Sequence, residues 1–319
     1  MRTNLIVGLT LLAVAFTIGT IDIYAPCLPV MQGEFAVTAA HMQWTVSVYT
    51  IASGICSVFI GPLADAYGRR PFVIYSLLGL VISSFGCALT SHIGVFTSWR
   101  FVQGLLGAVV PVLSLAILSD ILDRKYLGKV LAWMGSTVTF SVAVAPMLGG
   151  FLGQHFGWRS IFYFIAVGMF FMWFILAREL HETGSPHKNM SLKTILSEYL
   201  PLCRDPVVWG FATINPLILG GFVSYITTSS YYYIQVLGLS ISTHGYIIGI
   251  SIFANVLVSL WVSHLIERFE PLVIFKAGVA LAILGVAFFG AFIVADMTNP
   301  YLLIIPCAFV SAALGCVFP

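Results

Sequence analysis

The chain is divided into ten apolar blocks, near residues 5–31, 43–63, 71–91, 95–118, 130–153, 159–178, 207–234, 243–264, 271–294 and 299–319. Each is about 20 residues long, the length at which a helix crosses roughly 30 Å of hydrocarbon. Charged residues make up 8% of the chain and hydrophobic ones 60%. A soluble domain carries about 25% charged residues, so this chain has too little polar surface to face water on all sides. The pattern predicts an all-α fold, a polytopic membrane helical bundle.

Orientation follows from lysine and arginine, because cytoplasmic loops carry the excess. With the N-terminus inside, Arg2, Arg69, Arg70, Arg124, Lys125, Lys129, Arg178, Lys188, Lys193, Arg204, Arg268 and Lys276 fall on the cytoplasmic side. Only Arg100 and Arg159 fall on the other, twelve against two. The net charge of +2 is therefore a topology signal and implies no nucleic-acid partner. Arg2 ahead of an apolar stretch looks like the start of a secretory leader. No small-x-small cleavage site follows, and Pro26 precedes Cys27, so the block is expected to remain as a helix. The six cysteines (27, 56, 87, 203, 307 and 316) form no CxxC pair and read as small buried hydrophobes. The seven histidines (41, 92, 155, 181, 187, 244 and 264) stand mainly at block ends or in loops, without ligand spacing, and are expected to be solvated. No metal or cofactor site is expected.

The longest polar stretch, residues 178–206, separates two helical halves. Residues 1–180 form an N-terminal half of six helices, 181–206 a cytoplasmic linker, and 207–319 an incomplete C-terminal half of about four. Within the linker, "SLKTILSEYL" is compatible with a short amphipathic surface helix capped by Ser191. The halves echo one another. "FVQGLLGAVVP" at 101–111 and "FVSAALGCVFP" at 309–319 share six residues in register, and "RPFVIY" at 70–75 is echoed more weakly by "EPLVIF" at 270–275. Two related halves of six spans each would follow. The second would then stop inside its fourth helix at Pro319, two spans short.

"GPLADAYGRRP", residues 61–71, lies in the predicted turn between the second and third blocks. It resembles the loop signature of the major facilitator superfamily, with Gly61, Leu63, Ala64, Asp65, Gly68, Arg69 and Arg70 matching. Glycine at 68 permits a tight turn, and Asp65 at a helix end can accept charge-assisted hydrogen bonds. Gly61, Asp65, Gly68, Arg69 and Arg70 are thus expected to form a conformational latch. As plain physics, the two arginines are equally topology anchors. Ala66 stands where the family often has a basic residue, which removes one arm of the latch. "RFVQG", 100–104, resembles the fourth-helix motif. "APMLGG", 145–150, resembles the fifth-helix motif of the family's antiporters, and assigns Pro146, Gly149 and Gly150 to it. Ala132, Ser141 and Ala145 occupy places where that pattern has glycine. Close packing by small residues and a proline bend explain the stretch as well as a hinge does. With "GWRSIF", 157–162, and "IDIYAPCLP", 21–29, the likeness is to drug:proton antiporters of the bicyclomycin and chloramphenicol resistance type. It implies a major-facilitator-like bundle with about ten of an expected twelve transmembrane helices.

Asp22 is the one acidic residue of twelve clearly within a block. A charged side chain at mid-membrane costs about 2.5–3.5 kcal/mol on insertion scales, which makes it a functional candidate. Apolar surroundings favour its neutral form and a nearby cation the ionised one, so a balanced carboxylate can gain and lose a proton near neutral pH. Arg100, on the same predicted side, is the expected cation, and Asp22 with Arg100 the expected proton-coupling pair. The bland alternative is an interfacial or purely structural ion pair. The resemblance implies a multidrug efflux transporter, driven by the proton gradient, that works by alternating access of two halves. Small lipophilic drug-like substrates, protons and membrane lipid are the expected partners of a monomer in the bacterial inner membrane. Tyr24, Gln103, Met134, Met147, Asn215 and Tyr225 are candidate cavity residues, and Tyr231, Tyr232 and Tyr233 fit an interfacial aromatic belt better than a cavity wall. No nucleotide-binding, nucleophile-elbow or zinc-protease motif is present, so no enzyme activity is expected. A proton-coupled metabolite importer of the same fold and a truncated, non-transporting remnant are the alternative readings.

Overall fold

The computed structural model describes residues 2–184, 206–265, 269–294, 299, 302 and 304–317. The predicted linker helix at 191–200, its Ser191 cap and Cys203 lie outside the described residues. Helices α1 (Arg2–Asp22), α2 (Leu28–Phe35), α3 (Ala39–Tyr67), α4 (Arg69–Leu89), α5 (Ile93–Gly107) and α6 (Val109–Ile121) are followed by α7 (Arg124–Phe156) and α8 (Arg159–Glu179). Further along the chain come α9 (Pro206–Tyr231), a π-helical turn (Tyr232–Val236), α10 (Ile241–Leu265), α11 (Pro271–Val294) and α12 (Ile304–Val317). No strand occurs among the described residues.

Among the described residues eight segments are long and apolar enough to cross a membrane, and the eighth ends at Phe292. The last predicted block holds a shorter apolar helix, Ile304–Ala313, and the seventh holds α9. The chain is an integral, multi-pass, all-α membrane protein. Two spans are interrupted next to prolines, whereas Pro62 and Pro146 lie inside α3 and α7, which run on. Pro26 and Pro111 carry no N–H for the carbonyls four residues back, those of Asp22 and Gly107, and those are the residues at which α1 and α5 end. Elsewhere the ends are capped. Asp123 accepts from Tyr126 N–H at 2.8 Å at the start of α7, and Gly68 and Gly157 take φ +96° and +79° where α3 and α7 stop.

The chain forms two compact units, Met1–Ile21 with Val30–Val138 and Phe156–Val208, and Asp22–Pro29 with Thr139–His155 and Trp209–Pro319. In the first, α4 packs on α5 and α8, and α3 on α5 and α6. Its aromatic centre joins Phe35, Phe96, Trp158 and Phe162, with Phe96 and Phe162 edge to face at 5.4 Å. In the second, α12 packs on both α10 and α11, and α10 packs on the turn that follows α1. Phe170, Phe171 and Phe174 of α8, and Ile283 and Val286 of α11, are exposed apolar side chains. Cys27, Cys87, Cys307 and Cys316 are free and buried, as small hydrophobes are expected to be, whereas Cys56 is free but only half-buried.

Candidate functional site

Asp22 closes α1. The chain then makes a 3₁₀ turn over Ala25–Cys27, with Cys27 N–H donating to the Tyr24 carbonyl at 2.8 Å, and resumes as α2. Asp22 is 6% exposed and Tyr24 fully buried, so the carboxylate sits inside, at a helix break. Gly149 accommodates that break. A β-carbon there would stand 1.5 Å from the Ile23 carbonyl oxygen, and backbone cannot retreat as a side chain can. Cys27 Sγ donates to the Gly149 carbonyl at 3.9 Å.

The same face of α7 continues onto α10. A β-carbon at Gly245 would lie 2.4 Å from the Pro146 carbonyl, and one at Gly249 would lie 2.7 Å from the Ala143 carbonyl. One at Gly150 would be 2.9 Å from the Ile241 carbonyl. Ser242 Oγ donates to the Gly150 carbonyl at 3.1 Å, and the Ile241 N–H to Gln154 Oε1 at 3.1 Å. Small residues on both helices thus bring two backbones into direct contact, as in membrane helix pairs built on small-xxx-small spacing. Gly245-x-x-x-Gly249 is the half of this seam that sequence reasoning misses, although the spacing itself is the signal.

Arg100, in the first unit, is fully buried at the eighth residue of α5, and so is set back from the block mouth where the orientation argument puts it. The guanidinium can be taken inside because its surroundings suit it. Its Cζ lies 4.4 Å over the Tyr49 ring, and Nη1 donates to Gln103 Oε1 at 2.9 Å and to the Thr20 carbonyl at 3.3 Å. The Gln103 amide in turn donates to Ser84 Oγ at 2.8 Å, and the Thr20 and Tyr49 hydroxyls are 3.0 Å apart. A β-carbon on Gly104 would lie 2.2 Å from the Tyr49 carbonyl, so the glycine of "RFVQG" lets α5 reach α3.

At the loop between α3 and α4, Arg69 joins Asp65 at 3.0 Å and also bonds Asp120. Glu182 accepts from the Arg69 and Arg70 backbone N–H groups at 2.9 and 3.3 Å. Arg70 donates to the carbonyls of Leu180 and Ala177 at 2.6 and 2.7 Å. The motif therefore ties α3, α4, α6 and the end of α8 together. Gly68 needs its glycine twice over, for φ +96° and because a β-carbon would meet Glu182 Oε2 at 2.6 Å. Gly61 has open space where a β-carbon would go.

A family model described as Major Facilitator Superfamily matches residues 10–319. The chain belongs to that superfamily. A bicyclomycin resistance protein homologue of Haemophilus influenzae is 28% identical over 255 residues, which is 78% of this chain and 62% of the relative. A chloramphenicol resistance protein of Pseudomonas aeruginosa is 34% identical over 149 residues, 46% of this chain and 36% of the relative. The chain thus spans less than two thirds of the length of these relatives. Among solved structures, the xylose transporter XylE of E. coli, in a partially occluded inward-open conformation, matches with a TM-score of 0.77 at 14% identity, covering 98% of this chain and 84% of the other. That likeness is one of fold.

In this superfamily member the remaining predicted residues are scattered. Met134 packs beside Val7, Leu118 and Val130 in the first unit, while Met147 lies against Gly249 in the second. Tyr225 stacks obliquely on Phe289 and accepts from Cys307 Sγ. The side chain of Asn215 lies outside the described residues. Asp22 belongs to the second unit and Arg100 to the first. Two expectations are corrected. Tyr232 is exposed but Tyr233 is buried, because the π-helical turn rolls neighbouring side chains to different faces. His41, His92, His155 and His181 are exposed as expected, whereas His244 is fully buried, since it opens a helix whose first turn packs inside the unit. Asp120, Glu182, Tyr49 and Ser84 are not singled out by the sequence. Each is an ordinary residue for its local context, and only the long-range contact gives it a role.

Proposed function

We propose that this chain exports lipophilic, drug-like molecules across the bacterial cell membrane in exchange for protons, with its N-terminus in the cytoplasm. The observation that carries the reading is Asp22, a carboxylate withdrawn to 6% exposure at a proline-broken helix end within a chain that is 8% charged. Such a group is costly to keep in a membrane, and proton carriage is the usual return on it. The relatives named for bicyclomycin and chloramphenicol resistance supply the substrate class. Arg100, cradled by Tyr49, Thr20 and Gln103, is the fixed cation of the scheme.

Asp22 takes a proton from the outer side while the drug leaves, and returns it to the cytoplasm as the site reopens inward. One charge moved down 100 mV supplies about 2.3 kcal/mol. The Gly68 cluster and the α7–α10 seam are the contacts whose making and breaking would alternate during the cycle. The test is proton release on addition of chloramphenicol to proteoliposomes, compared between the native chain and Asp22→Asn. The native chain should release protons on drug addition. Loss of that signal in the variant, with normal yield and folding, is expected. Unchanged drug-driven proton release in the variant removes the proposal.

A further inference from the structure

The second unit contains a buried imidazole that the scheme above does not use. His244 is the fourth residue of α10, next to Gly245 of the α7–α10 seam, and its side chain is fully enclosed. Nε2 lies 3.1 Å from Ser229 Oγ. That hydroxyl already donates its one proton to the Ile226 carbonyl at 2.9 Å, so the hydrogen between serine and histidine belongs to Nε2. The neutral ring therefore presents a bare lone pair at Nδ1. Among the described residues Nδ1 has no hydrogen-bond partner. A buried polar atom left in this way calls for an account of what it binds, and a lone pair on a neutral imidazole binds a proton.

We infer that His244 Nδ1 is a proton-binding site that opens the α7–α10 seam, so that the packed seam and the protonated ring exclude one another. The step balances simply. A hydronium ion transfers its proton to Nδ1, leaving water and an imidazolium cation. In the packed state the new N–H⁺ is fully enclosed and has no acceptor among the described residues, so the cation is disfavoured there. Once the first turn of α10 leaves Gly150 and Pro146, water reaches the ring and the cation is solvated. A ligand that binds one of two states better shifts the population toward it, and the proton is that ligand here. With a cytoplasmic N-terminus, the segment Asp22–Pro29 and this seam lie toward the outer face, where protons arrive in the exchange proposed above, and the inference rests on that reading for its direction.

Other titratable groups on elements packed against α10 are few. The turn after α1 carries Tyr24 and Cys27, with Asp22 at its edge. The end of α7 carries His155, which is exposed. The π-helical turn carries Tyr232 and Tyr233, the latter's ring 5.5 Å from the imidazole, α9 carries Tyr225 and Tyr231, and α12 carries Cys307 and Cys316. Asp22 is the charged member of this set and is the rival explanation for any pH effect, so the experiment separates the two.

Hydrogen exchange is measured by mass spectrometry on the whole chain in lipid nanodiscs, over peptides covering 143–150 and 241–252, with rates corrected for the intrinsic pH dependence of amide exchange. In the native chain, exchange is expected to rise about tenfold between pH 8 and pH 5.5, across the ordinary imidazole range. His244→Gln should abolish the rise, while Asp22→Asn should keep it. A flat native profile, or a rise that survives His244→Gln, overturns the inference. Should His244→Gln fail to fold, Ser229→Ala leaves the imidazole in place without its Nε2 partner. Losing that bond weakens the packed state, so exchange should rise at every pH while its pH dependence stays in the imidazole range, and a pH-independent profile in this variant overturns the inference too. Drug-driven proton release is scored separately. If it is absent while the seam still responds to pH, the exchange mechanism fails and His244 stands. If the seam is flat while drug-driven release is intact, the role of His244 fails and the exchange mechanism stands.

Discussion

Two arginines of the same unit, Arg69 and Arg100, are held in opposite ways. Arg69 sits at a turn between helices, partly in water, bonded to the carboxylates of Asp65 and Asp120. Arg100 is enclosed two turns into a helix, against an aromatic face, a backbone carbonyl and a side-chain amide. The first arrangement is electrostatic, tolerant of small displacements and screened by salt. The second depends on shape, because the planar guanidinium must reach several fixed groups at once. A contact that has to break and re-form is best built the first way, and a cation that has to stay put is best built the second way.

The largest effect separating the two should come from Arg100→Met. It takes the guanidinium donor from the Thr20 carbonyl and from the Gln103 carbonyl oxygen, which keeps only the weak Cys87 thiol donor, at about 2–4 kcal/mol together. Equilibrium unfolding in mixed micelles measures it, and Arg100→Lys should recover only a minor part, since a point charge does not reproduce the fork. A middle effect is expected at Gly68→Ala, about 1–2 kcal/mol from the positive φ together with the approach to Glu182. Adding Glu182→Ala should relieve the steric share of that loss and leave the backbone share. The smallest is Asp120→Asn, below about 1 kcal/mol and shrinking further in concentrated salt. If Asp120→Asn were as costly as Arg100→Met, or the Arg100→Met loss proved salt-dependent, the contrast between the two sites would fail.

Much of the architecture is legible in the chain alone. Apolar block length marks the spans, but not that the first and fourth are interrupted near 22–29 and 107–109, because Pro62 and Pro146 lie inside helices that run on unbroken. "GPLADAYGRRP" specifies both the turn and the glycine that makes it. The partners of that turn are not legible. Asp120 and Glu182 stand 51 and 113 residues from Arg69, and neither has a local pattern that points to it. The same holds at the seam, where "APMLGG" is recognisable but nothing nearby in the chain pairs it with the α10 glycines, and His244 reads as solvated because helix ends usually are.

Hydropathy and the freedom of glycine are properties of single residues, so the sequence by itself determined that this protein lies in a membrane, roughly where it crosses, and that a tight turn falls at Gly68. Which oxygen meets Arg69, which ring lies under Arg100, and that a histidine at a helix start is sealed from water depend on segments distant in the chain. Those pairings are decided when buried polar groups must find partners in a medium that offers none, and only the packed tertiary structure settles which partners they find.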